Sequence, residues 1–170
     1  MSKRDFKKEI ESFDKKQLVN LIMDVYKKNA SAKEYLDYLF NSNEEDVLRD
    51  YKRKIREAFY PKRGFGFKLS VGKKAISDYR KLNPSSESLI DLLLCYVESG
   101  VEFTNEFGDI DEAFYLSLES VYLNAIKLID KAMLHDKFAE RAYQITKRTE
   151  NIGWGFHDGI CDSYYEIYRD

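Results

Sequence analysis

Apolar residues recur along this chain at three- and four-residue spacing, the pattern of helices that bury one face. Phe6 and Ile10 mark a first helix over about 2–12. Asp14 can cap a second, with Leu18, Leu21, Ile22, Val25 and Tyr26 on one face. A third opens at 29–31 and carries Tyr35, Leu36, Leu39 and Phe40. In the fourth, Asn43 precedes Glu44, Glu45 and Asp46, an acidic first turn that suits the positive end of the helix dipole. Val47, Leu48, Tyr51, Ile55 and Phe59 carry it to a basic end and Pro61.

Beyond a Gly-aromatic stretch at 62–67, Val71, Ala75, Ile76 and Tyr79 predict a fifth helix over about 70–82. Asn83, Pro84, Ser85 and Ser86 break the chain and cap a sixth. Eight of its nine residues over 89–97 are apolar, so burial on most sides is expected. A turn at 107–109 precedes the longest pattern, 110–134. Asp136 starts an eighth helix to about 148, and a last one covers about 156–168 after the loop 151–155. Some eight to nine helices, punctuated by only two prolines and eight glycines, predict an all-α fold. The expected form is a single domain over 1–170, an irregular bundle or a short stack of helical hairpins. The 34-residue tetratricopeptide signature does not occur.

Composition adds three points. A hydrophobic share of 44% over 170 residues is enough for a core without disulfides or metal. Thirteen tyrosines need polar outlets for their hydroxyls, so half-buried tyrosines are expected at helix seams. Cys95 and Cys161 form no disulfide framework, the amino terminus has no apolar signal core, and the run 89–97 contains Asp91. A span needs about 20 apolar residues. The expectation is a cytoplasmic protein without a membrane segment.

Charge is segregated. Residues 52–81 carry eleven Lys or Arg against two acids, Glu57 and Asp78, in a chain whose net charge is -2. Residues 82–170 carry seven basic and seventeen acidic side chains. A basic stretch can attract an anionic partner or serve as the protein's own counter-charge. In the first case Lys62, Arg63, Lys68, Lys73 and Lys74 flank a loop whose glycines admit an anion to backbone N–H groups. Phe65 and Phe67 can then stack on a base. In the second, both phenylalanines anchor the loop to the core and the basic faces lie near acidic helices. No Gly-x4-Gly-Lys-Ser/Thr pattern occurs, and a pI of 5.8 argues against bulk nucleic-acid affinity.

A second constellation is Trp154, His157 and Asp158, with the only tryptophan set between glycines. Trp154 suits a pocket wall, and His157 can exchange protons near neutral pH. Asp158, at the adjacent position, is not an obvious partner for it. Cys161 lies four residues after His157 on the same helical face, the geometry of a thiolate–imidazole pair or a metal corner. The same residues also read as a helix start, with Trp154 and Phe156 buried and Cys161 packed. Two acidic stripes, Glu98, Glu102 and Glu106, and Asp158, Asp162 and Glu166, lack the Glu-x-x-His of di-iron bundles. No metal or cofactor is predicted, and the basic segment is expected to compensate the stripes.

Four segments resemble one family taken together: 63–70 (Arg-Gly-Phe-Gly-Phe-Lys-Leu-Ser), 96–104 (Tyr-Val-Glu-Ser-Gly-Val-Glu-Phe-Thr), 108–115 (Gly-Asp-Ile-Asp-Glu-Ala-Phe-Tyr) and 152–158 (Ile-Gly-Trp-Gly-Phe-His-Asp). The family is one of small bacterial helical proteins described only as a domain of unknown function. The resemblance implies an all-helical cytosolic protein and transfers no site residue.

The leading functional expectation is a non-enzymatic helical module that binds another protein. Next comes a binder of an anionic ligand, phosphorylated small molecule or nucleic acid, through 52–81. Third is a small enzyme centred on His157. Trp154 and the Phe65/Phe67 loop are expected to share one surface, because both are Gly-flanked aromatic interruptions of helix.

Overall fold

The computed structural model describes residues 1–41 and 43–168. Among them are nine α-helices and no strand: α1 (Lys3–Glu11), α2 (Lys15–Lys28), α3 (Ala30–Asn41), α4 (Glu44–Phe59), α5 (Leu69–Lys81), α6 (Ser86–Phe107), α7 (Glu112–Ala132), α8 (His135–Arg148) and α9 (Phe156–Ile167). The all-α expectation holds, and most boundaries fall within a residue or two of those read from the sequence. Local chemistry explains why. Ser2 with Asp5, and Asp14 with Gln17, form reciprocal capping boxes at α1 and α2. Asn43, Ser85 and Asp111 each accept a first-turn backbone N–H of α4, α6 and α7.

The chain divides into two compact units, Met1–Ser42 and Asn43–Asp170. In the first, α2 and α3 pair as a hairpin. The Tyr26 hydroxyl donates to Asp37 at 2.8 Å, and Lys33 lies 5.0 Å above the Tyr26 ring. No residue from 1 to 40 is buried.

The second unit is a set of three antiparallel hairpins. In α4/α5, Tyr51 meets Tyr79 with ring centroids 5.0 Å apart, and the loop end brings Ala58 against Gly72. In α6/α7, Tyr96 pairs with Ser117 at 2.8 Å and Thr104 with Tyr115 at 2.7 Å. In α8/α9, Tyr143 faces Tyr164, and Tyr168 donates to the His135 carbonyl at 3.1 Å. Helix α6 is central, packed on α4, α5, α7 and α8. Its apolar run is buried as expected, and Asp91 faces the side where α4 and α8 meet it. A Cβ at Gly100 would overlap the Leu118 side chain, so glycine there sets the α6–α7 spacing.

Several tyrosines are half-buried as expected, Tyr60, Tyr143 and Tyr164 among them, but others go further in. Tyr79, Tyr96 and Tyr122 are fully buried. Two of them find internal hydrogen-bond partners. Tyr96 pairs with Ser117, and Tyr122 donates to the Ala142 carbonyl at 3.0 Å.

Candidate functional site

Inside the carboxy-terminal unit, much of the segregated charge pairs with itself. Lys52 of α4 lies 2.6 Å from Asp91, and Arg56 lies 3.0 Å from Glu102. Arg141 of α8 donates to Glu98 through two nitrogens, at 2.6 and 2.8 Å, and also reaches the Asp91 carboxylate. Burial opposes ionisation of Asp91, yet Lys52 and Arg141 hold its carboxyl below the usual carboxylate range. Burial likewise opposes the Arg141 charge, and Glu98 with Asp91 more than offset it. The α6 stripe is therefore compensated at Glu102 by the basic segment. At Glu98 the compensating cation is Arg141, from the acidic half of the chain.

A groove of about 500 Å³ runs over this network, lined by Arg49, Lys52, Arg53, Arg56, Lys62 and Arg141. Each of those six cations has a carboxylate within 3.0 Å, so the groove is basic in composition and neutralised in fact.

The α4–α5 loop differs. The Lys68 N–H donates to the Ala58 carbonyl at 2.7 Å, which returns the chain to α4. Gly64 and Gly66 hold φ of +83° and +97°, backbone that side-chain-bearing residues rarely adopt. Phe67 sits 5.3 Å from Phe103 and 4.9 Å from Phe114, ring to ring. Phe65 is 85% exposed and meets Phe107 edge-on, at 5.5 Å and 87°. Only Phe67 anchors the loop, which corrects the expectation that both phenylalanines do. Sequence separates them poorly, since the spacing Gly-Phe-Gly-Phe is symmetrical.

Beside this loop lies a cavity of about 430 Å³ whose walls include Lys54, Arg63, Lys68, Phe65, Phe67 and Val71. The five candidate cations are thus dispersed. Arg63 and Lys68 line this cavity. Lys62 pairs with Glu57 at 2.8 Å and holds that carboxyl below its ordinary range. Lys74 bonds Asp78 at 2.8 Å. Lys73 lines a separate groove of about 280 Å³ with Arg80, Ser120 and Asn124. Lys54, which sequence reasoning missed, joins Arg63 and Lys68. It stands four residues before Ala58, a spacing that acquires meaning only once Ala58 is known to anchor the loop.

The α8–α9 loop flanks the same α6–α7 turn. Asn105 donates to the Arg148 carbonyl at 2.9 Å, and Gly153 lies near Asp109, 3.5 Å from a Cβ position to Oδ2. Trp154 is 60% exposed with φ of +63°, which overturns its reading as a core residue. Phe156 fills that role, 1% exposed. Phe65 therefore meets this turn at Phe107, and Gly153, the residue before Trp154, approaches it at Asp109.

His157 lies one turn beyond. The Thr149 hydroxyl donates to the Thr146 carbonyl at 2.7 Å, so its oxygen accepts from Nδ1 of His157 at 2.8 Å. Nε2 then faces Cys161 Sγ at 3.6 Å. The structure thus brings His157 and Cys161 together, as the spacing predicts. Burial pushes the Cys161 thiol up, and Asp158 and Asp162 push it further, which is opposite to the activation a nucleophilic thiolate needs. Asp158 is exposed and makes no hydrogen bond to His157 among the described residues. No group of three or more His, Cys, Asp or Glu among those residues is placed to hold a metal.

The fold and these surfaces define an all-α protein of helical hairpins, in which no described helix is long and apolar enough to cross a membrane. The chain belongs to a family of unknown function (DUF6155), whose model matches residues 1–166. No curated protein and no solved structure matches it.

Proposed function

We propose that this protein is a non-enzymatic interaction module whose amino-terminal unit docks an amphipathic helix of another protein in the cytoplasm. The observation that carries this is a helical unit without a core. Val19, Ile22, Met23 and Val25 on α2, with Leu39 and Phe40 on α3, are 42% to 73% exposed. Chains of about 40 residues rarely hold a fold without a staple or a partner. Contiguous exposed apolar residues at helical spacing are the usual ground for a helix laid into a groove. Residues 1–42 carry nine basic and seven acidic side chains, a small positive excess, so the complementary helix carries acidic flanks. Cys95 is a buried free thiol and Cys161 a half-buried one, which suits a reducing compartment.

The test is a photo-cross-linking residue placed at Phe40 in cells. The expected result is one discrete adduct with a second protein, lost when Ile22→Glu is added. Adducts confined to this chain, or to two copies of it, would sink the module reading.

A further inference from the structure

The cavity beside the α4–α5 loop combines features that the neutralised groove next to it lacks. Lys54, Arg63 and Lys68 all line it, and among the described residues no carboxylate pairs with any of them. Lys54 instead lies 4.0 Å over the Tyr51 ring. The one acid in the wall, Glu57, is already matched by Lys62. The cavity's three cations thus carry no ion pair, whereas each of the six cations of the neighbouring groove has its own acid.

The wall is also aromatic. Phe67 is fixed by Phe103 and Phe114, and Phe65 projects from the loop with only its edge contact to Phe107. An 85%-exposed phenylalanine between two positive-φ glycines leaves most of its ring surface bare to water. A flat ring beside three cations without ion pairs matches a ligand that is planar at one end and multiply anionic at the other. The volume, about 430 Å³, falls in the range of small-ligand pockets, about 300–1,000 Å³.

We propose that this cavity binds a mononucleotide, its phosphate held by Arg63, Lys68 and Lys54 and its base stacked on Phe65. Arg63 presents a planar fork to phosphate oxygens, and the two lysines act as point charges. The glycines let the loop close over the base without a side chain in the way; a Cβ at either would meet nothing within 4 Å, so they answer a conformational need and not crowding. The site is independent of the amino-terminal docking surface, so either proposal can fail alone.

The experiment is isothermal titration of the full chain with AMP, ADP, GMP and GDP, beside adenosine, inorganic pyrophosphate and a short single-stranded RNA. A purine mononucleotide should bind in a saturable way and weaken as salt rises. Arg63→Ala and Lys68→Ala should each weaken it about tenfold or more, and Lys73→Ala, in the separate groove, should not. Phe65→Ala should weaken the nucleotide and leave pyrophosphate unchanged. All four side chains are exposed, so their replacement should leave Tm unmoved and any loss of binding attributable to the site. Pyrophosphate binding as tightly as ADP would overturn the stacking half. Saturable binding of RNA alone, or no nucleotide binding at millimolar concentration, would overturn the assignment.

Discussion

The amino-terminal and carboxy-terminal units are written in the same alphabet and end differently. Both have well-capped helices with apolar residues at i, i+3 and i+4. In Asn43–Asp170 six helices supply enough faces to close on one another, and Ile55, Leu92, Leu118 and Ile126 vanish from solvent. In Met1–Ser42 three helices leave Ile22 half-exposed and Phe40 mostly so. Amphipathic pattern decides that a helix forms and which face wants covering. The number of partner faces decides whether the covering is found within the unit.

That contrast can be broken most sharply at the core. Phe114 is fully buried among Phe59, Phe67 and Phe103, so Phe114→Ala should lower unfolding stability by about 3–5 kcal/mol. Urea unfolding followed by far-ultraviolet circular dichroism reads it directly. Next in size is Arg141→Met, which leaves Glu98 without its cation and Asp91 with Lys52 alone; a loss of about 2–4 kcal/mol is expected in the same assay. Arg53→Ala, at a fully exposed pair with Asp50, should leave the midpoint where it was.

Acid gives a smaller and more selective effect. The Asp91 carboxyl is depressed in the folded state, so its contribution is complete above the unfolded carboxylate value of about 4 and fades as pH falls through the folded one. Between about pH 4 and 2, Asp91→Asn should therefore show a shallower loss of stability than the parent chain. An identical slope in both would remove Asp91 from the acid response. Small too is the effect of Ile22→Glu, expected to shift the cooperative transition by less than about 0.5 kcal/mol because the side chain has little burial to lose. A large shift there would mean that the two units do not differ as described.

Much of this fold was legible in the sequence, and the reason is local. Caps such as Asp14 and Asn43, the stop at Pro61 and the apolar run 89–97 act over a few residues, and they placed the helices nearly where they stand. What sequence could not show lies in contacts between residues far apart in the chain. Arg141 finds Glu98 across 43 positions, and nothing near residue 141 marks it as that carboxylate's partner. The burial of Tyr79, Tyr96 and Tyr122 depends on groups such as Ser117 and the Ala142 carbonyl. Lys54 belongs to a cavity made by a loop that returns to its own helix. The His157–Cys161 pair was visible from i, i+4 spacing alone, whereas the pull of Asp158 and Asp162 against a thiolate needed the packing.

Trp154 has a practical consequence for anyone who measures this protein. It is the chain's single indole, and it stands in the α8–α9 loop, more than half open to water. Its emission should already be red-shifted in the native state and change little when the helices melt. Light from this residue will report what approaches the loop, a quencher or a partner, while the aromatic core stays dark to it. The tyrosine signals of the near-ultraviolet are the ones that will register the loss of packing around Tyr96 and Tyr122.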